Sequence, residues 1–177
     1  GEFTGAETAW VEGKALECIT PGGISKISKQ AYGQWEWVMK RDTETSSVWF
    51  QLTWNEINWL SPTDYWYHIW YTNDWSFFLS RRVANWVDVA ICWSAPWYLE
   101  IWIEYWFKIE RETNWRFTAW ITGWSFWNNY VMVDTSGGYW SNPVIDNTYT
   151  DSKFIWFHAF GTWDQISNIQ IPKGITQ

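Results

Sequence analysis

The sequence predicts an all-β domain built as a two-sheet sandwich, and three observations predict it. Apolar and polar residues alternate with period two in segment after segment, turn-forming residues separate those segments at short intervals, and no stretch carries the period of an amphipathic helix. In chain order, residues 34–40 place Trp35, Trp37 and Met39 on one face, and residues 48–53 group Val48, Phe50 and Leu52. Residues 65–71 and 87–92 follow the same pattern. Residues 98–110 set Leu99, Ile101, Ile103, Tyr105, Phe107 and Ile109 against Glu100, Glu104, Lys108 and Glu110, which predicts one long strand or two with a core side and a wet side. Residues 116–122 set Phe117, Ala119 and Ile121 inward and read as the hairpin partner across a Thr113-Asn114-Trp115 turn. Residues 130–134, 154–160 and 166–171 complete about ten to twelve short strands at sandwich spacing. Pro62, Pro96, Pro143 and Pro172 fall in or beside loops or a strand end, where a missing amide hydrogen does no harm.

At 177 residues the chain has the length for one well-filled core, so a single domain over 1–177 is expected. The net charge is -7, from 19 acidic and 12 basic side chains, which argues against nucleic acid as a partner because phosphate binding needs clustered Lys and Arg. Arg81 and Arg82, the adjacent basic pair within a predicted element, are expected to be solvated at a strand end. No run reaches the roughly 20 apolar residues of a membrane helix, so no membrane insertion is expected. No charged leader or small-residue cleavage site is visible at Gly1, so a secretory signal is not read from the sequence. Cys18 and Cys92 are too few for a disulfide framework or a zinc site. Two buried thiols are the favoured reading, with one disulfide as the alternative.

Tryptophan is the anomaly. The chain holds 21 Trp against 11 Gly, the reverse of ordinary usage. Trp75, Trp86, Trp115, Trp127, Trp140 and Trp163 each sit among polar or turn-forming residues at a strand boundary. Those are glycine positions by turn chemistry, because the second residue of an Asn-Gly or Asp-Gly turn takes a positive φ that a bulky ring tolerates poorly. Many Trp letters are therefore expected to stand where the functional protein has glycine, as when UGA codons read as glycine are translated as tryptophan. Tryptophan-rich turns are the alternative.

No catalytic constellation is expected. A glycosidase of this architecture needs paired carboxylates in a cleft, and Glu100, Glu104, Glu110 and Glu112 read as a solvated strand face and strand end. His68 and His158 lie in aromatic strands without a nucleophile elbow and read as satisfied sheet histidines. Asp134, Asp146, Asn147 and Asp151 form the candidate set for a Ca2+ ion, against the favoured reading that Asx residues there are turn formers; their spacing is not that of an EF-hand, and no cofactor is otherwise expected. Trp66, His68 and Trp70 share one strand face that combines rings with a polar handle, which suits stacking on a sugar plus hydrogen bonding.

The segments KALECIT, ISKISKQAYGQWEW, YWFKIERETNWRFTAWITGWSFW, VDTSGGYWSNPVIDNTYTDSKF and DQISNIQIPKG together resemble concanavalin-like (laminin-G-like) jelly-roll domains of phage and environmental structural proteins. The likeness spans most of the chain and implies a two-sheet antiparallel jelly roll. At Trp115, Trp124, Trp127 and Trp140 the domains it resembles carry glycine, whereas Trp35 and Trp120 match aromatic positions. The resemblance implies a non-enzymatic structural or adhesion module of a virion or cell-surface assembly, self-associating or docking on a larger assembly. A carbohydrate-binding lectin-like module is the alternative, and a glycoside hydrolase comes third, since this sandwich hosts all three.

Overall fold

A computed structural model describes residues 4–5, 10–11, 16–18, 22–42, 48–54, 66–72, 74–83, 87–135, 141–159 and 164–171. The strands among them are β1 (Thr4–Gly5), β2 (Trp10–Val11), β3 (Leu16–Cys18), β4 (Gly22–Ile27), β5 (Gly33–Lys40), β6 (Val48–Trp54), β7 (Trp66–Tyr71) and β8 (Phe77–Val83), followed by β9 (Val87–Trp93), β10 (Glu104–Arg111), β11 (Arg116–Thr122), β12 (Val131–Met132), β13 (Val144–Ile145), β14 (Phe154–Ala159) and β15 (Gln165–Gln170). They form two antiparallel sheets, one ordered β1-β4-β14-β6-β7-β8-β9 and the other β12-β11-β10-β5-β15-β3-β2, with β13 pairing β11.

Alternation builds the core as expected. Trp35, Trp37 and Met39 of β5 are fully buried with Tyr105, Phe107 and Ile109 of β10 and Phe117, Ala119 and Ile121 of β11. From the facing sheet come Val48, Phe50 and Leu52, then Tyr67, Ile69 and Tyr71, Phe77 and Leu79, and Ile155, Phe157 and Ala159. A ladder of rings ties the layers: Trp37 meets Phe50 edge-on at 4.3 Å and stacks on Phe107 at 5.5 Å, and Phe50 stacks on Phe157 at 4.0 Å. Such pairs add about 0.5–1.5 kcal/mol each beyond area burial.

At one end Arg111 is a buried anchor. It donates to the carbonyls of Ala31 (2.7 Å), Asp146 (3.1 Å) and Tyr149 (2.6 Å), and its guanidinium lies 4.6 Å from the Tyr67 ring and 4.7 Å from that of Phe117. A planar fork with donors on separated nitrogens reaches carbonyls of separate segments while its face lies on rings, a geometry the single ammonium nitrogen of a lysine does not match. The residues around 146–149, which form no long ladder, are thereby pinned to the core.

Three expectations need correction. Residues 98–103 are not strand: Trp97 and Trp102 adopt φ of 63° and 68° and reverse the chain, so only Glu104–Arg111 joins the ladder. Leu99 nevertheless stays buried, held from a turn whose Leu99 amide donates to the Trp75 carbonyl (2.8 Å). Strand β4 was not anticipated, because Gly22–Ile27 is interrupted by glycine and lysine, whereas Arg81 and Arg82 lie near the end of a strand, β8, as expected. Those arginines are not solvated. Arg82 is buried and Arg81 half-buried, each ion-paired, Arg81 to Asp146 and Arg82 to Asp88. Among the described residues no helix is long and apolar enough to cross a membrane.

Candidate functional site

The outward face of the seven-stranded sheet is the candidate site. Pairing register lines up its outward side chains in rows that run across the strands. One row is Ser25, Trp156, Gln51, His68, Ser80 and Ala90. The next is Gly23, His158, Trp49, Trp70, Phe78 and Trp93, and a third runs through Trp66, Arg82 and Asp88. An ordinary exposed sheet face carries charged and hydroxyl side chains; this one carries rings with a hydrogen-bonding set between them.

His68 sits at the centre, fully buried, with its ring 5.9 Å from Trp49, 6.2 Å from Trp66 and 5.2 Å from Trp70. Trp49 and Trp70 stack on each other at 4.4 Å. His68 Nε2 is 2.9 Å from Ser80 Oγ and 3.6 Å from Asp88 Oδ1. Arg82 grips Asp88 with two bonds, Nε to Oδ1 at 2.6 Å and Nη2 to Oδ2 at 2.9 Å, and its guanidinium lies 5.1 Å from the Trp66 ring. Burial, with the Arg82 charge beside it, pushes the His68 imidazole well below its ordinary pKa, so the ring is neutral. Burial likewise pushes His158 down to about 4. It raises Asp88 against the opposing pull of Arg82.

Three polar atoms of this face stand out. Gln51 Oε1, His68 Nδ1 and Trp70 Nε1 are buried and have no hydrogen-bond partner among the described residues. Gln51 and His68 are direct cross-strand partners, and Trp70 is two residues along the same strand. A buried polar atom without a partner costs about 1–3 kcal/mol, so a cluster of three calls for a functional account.

The expected site residues therefore fall as follows. Trp66, His68 and Trp70 lie on one outward face as their spacing implies. Gln51, Trp49, Ser80, Arg82 and Asp88 join them without having been anticipated. One signal for two of these was present: Arg82 and Asp88, of opposite charge, are equidistant from Asn85, so a hairpin centred there pairs them.

The candidate calcium ligands are not gathered. Among the described residues no three His, Cys, Asp or Glu side chains lie close enough to hold a metal. Asp146 Oδ1 accepts from Tyr67 Oη (2.6 Å) and the Thr148 amide (3.0 Å), and Oδ2 from Arg81. Its burial alone would raise the carboxyl, but these donors outweigh it and hold the group below the usual range. The Asp134 amide donates to Tyr98 Oη at 3.1 Å, and Asn147 and Asp151 are exposed. The thiol of Cys92 is free and buried, which pushes it up to about 12; the Cys18 side chain lies outside the described residues.

No protein-family model matches the chain, and no curated protein matches it in sequence. Solved structures do match in shape. The carbohydrate binding module CBM66 from Bacillus subtilis superposes with a TM-score of 0.59 at 12% identity, over 96% of this chain and 92% of that one. A protein from Parabacteroides distasonis named "Putative glycosyl hydrolase" superposes with a TM-score of 0.58 at 10% identity, over 94% and 91%. At these identities the likeness shows the fold, a two-sheet antiparallel β-sandwich.

Of the four carboxylates considered for hydrolysis, three accept hydrogen bonds from other side chains. Glu100 accepts from the Trp124 indole (3.1 Å), Glu110 from the Trp120 indole (2.9 Å), and Glu112 from Asn114 (3.0 Å). Asp88 is the only carboxylate in the described strands of the seven-stranded sheet.

Proposed function

We propose that the chain is a non-enzymatic glycan-binding module whose site is the outward face around His68. The observation that carries this reading is the trio Gln51 Oε1, His68 Nδ1 and Trp70 Nε1, unpartnered and buried beside stacked indoles. A sugar presents apolar C–H faces, which stack on rings, and a rim of hydroxyls that both donate and accept, which would partner such a trio once the side chains that cover it part. The Arg82–Asp88 pair adds a charged, preorganised edge. A fold shared with a module named for carbohydrate binding supports the reading, although folds host many functions and the site has to carry the argument. Hydrolysis is disfavoured on this face because, among the described residues of its strands, Asp88 has no second carboxylate with it and is occupied by Arg82. The adhesive role implied by the sequence fits this reading as docking, through glycans, of a cell-surface or particle-borne assembly.

Purified full-length chain titrated against a panel of soluble polysaccharides, by calorimetry and affinity electrophoresis, tests the proposal. Saturable binding to at least one glycan is expected, weakened tenfold or more in Gln51→Leu, a variant that removes an unpartnered acceptor and retains the melting temperature. Binding to none of the panel, or full affinity in both Gln51→Leu and Trp70→Phe, overturns it.

A further inference from the structure

The tryptophans fall into two populations by backbone conformation. Among the described residues seven non-glycine residues adopt positive φ, and six of them are tryptophan: Trp75 (63°), Trp97 (63°), Trp102 (68°), Trp115 (67°), Trp124 (44°) and Trp127 (60°). The seventh is Asn168, of a residue type that favours this region. No other bulky residue shares it. By contrast Trp35, Trp37 and Trp120 lie in strands, the first two in the core and the third with its indole bonded to Glu110.

Main-chain hydrogen bonds hold the turns in which these conformations occur. The Trp115 amide closes its hairpin turn onto the Glu112 carbonyl (2.9 Å), the Trp97 amide donates to Asp74 O (3.0 Å), and the Trp102 amide donates to Arg41 O (2.8 Å). The Trp127 amide donates to Trp124 O (3.1 Å), and its carbonyl accepts from the Gly123 amide (2.9 Å) and the Thr122 hydroxyl (2.7 Å). Trp127 also has ψ of -150°, in a region essentially confined to glycine. Nor does burial explain four of the six rings: Trp97, Trp102, Trp124 and Trp127 are 67%, 58%, 60% and 81% exposed, while Trp75 and Trp115 are half-buried. An L side chain pays strain in this region, and an exposed ring recovers little of it.

We propose that glycine is the native residue at these six positions, the gene carrying there a codon, UGA, that its source organism decodes as glycine. Turn chemistry asks for glycine at Trp75, Trp115 and Trp127 from sequence alone, the resemblance adds Trp124, and backbone geometry adds Trp97 and Trp102, which no turn motif had marked. The φ argument does not reach Trp49, Trp66 and Trp70, which lie in strands, so this inference stands apart from the proposed glycan site.

Mass spectrometry of the protein isolated from its source decides the matter. Trypsin releases residues 112–116 as one peptide, and its fragment ions are expected to show glycine at position 115, with UGA in the gene at all six positions. Tryptophan in that peptide, or UGG codons at these positions, overturns the proposal. As a second measurement, the chain carrying all six Trp→Gly substitutions is expected to melt higher than the parent. A lower melting temperature would refute the conformational argument even if the codons agreed.

Discussion

Trp127→Gly is the substitution on which the backbone argument makes its sharpest forecast. The residue closes the short helical turn Trp124–Phe126 with φ of 60° and ψ of -150°, held by three main-chain or side-chain hydrogen bonds that a relaxed backbone would lose. Holding a non-glycine residue there costs about 1–3 kcal/mol. Glycine returns part of this by gaining freedom in the unfolded chain, about 0.4–1 kcal/mol. The lost ring contributes little in compensation, being 81% exposed. The net expectation is a stabilisation of about 1 kcal/mol, or about 2–4 °C in a chain of this size. Trp120→Gly is the matched control: its ring covers Lys108 at 4.8 Å and bonds Glu110 within a regular strand, so it should lose about 1–3 kcal/mol. Thermal melts and urea titrations of both, with unchanged m-values, are the assay. A Trp127→Gly midpoint at or below the parent's, with Trp120→Gly destabilised as expected, would refute the reasoning.

Three further outcomes follow from the packing. Phe107→Ala empties the ring ladder between the sheets and should cost about 3–5 kcal/mol by urea unfolding. Arg82→Leu strands Asp88 beside buried rings and should cost about 3 kcal/mol, most of it regained in the Arg82→Leu, Asp88→Leu double variant; a double variant no better than the single would refute the pairing account. Acid should loosen the fold before carboxylate titration is complete. His68 and His158 are both held below the ordinary imidazole pKa by burial, His158 at about 4, so between about 6.5 and that value the unfolded chain binds more protons. Their contribution is full above about pH 6.5 and is lost as pH falls, with raised Asp88 opposing only near the carboxylate range. The urea midpoint should fall from pH 7 to pH 5, and His158→Gln should flatten that slope by about 1 kcal/mol per pH unit; a flat parent profile would contradict it.

Period-two burial made the core legible. Trp35, Trp37, Met39, Val48, Phe50, Leu52, Phe117, Ala119 and Ile121 all point inward because alternation at an extended backbone leaves no other arrangement with one covered face. The same logic failed over residues 98–103, where apolar residues alternate but the chain turns. Leu99 and the half-buried Ile101 and Ile103 reach the interior from a reversal, so their spacing imitates a strand. Of the turn tryptophans singled out in sequence, Trp75, Trp115 and Trp127 adopt the predicted positive φ, while Trp86, Trp140 and Trp163 lie outside the described residues.

The outward face was only half legible, for a reason that bears on its function. Sequence logic assigns one side of a strand to the core and the other to water, and β7 breaks that rule: Trp66 and His68 are as buried as Tyr67 and Ile69. Burial on both faces of a strand outside the middle of a three-layer fold means that side chains from β6, β8 and β14 tile the outside. Tiling by leucine or valine would have stabilised the sandwich without orphan polar atoms. Indoles, a neutral imidazole, an amide and an Arg–Asp pair instead leave three unpartnered polar atoms at the centre. The core indoles Trp35 and Trp37 carry the same unpartnered N–H, so what sets the outward trio apart is that an amide, an imidazole and an indole gather on one face, which a hydroxyl-rich ligand would partner once the covering side chains part.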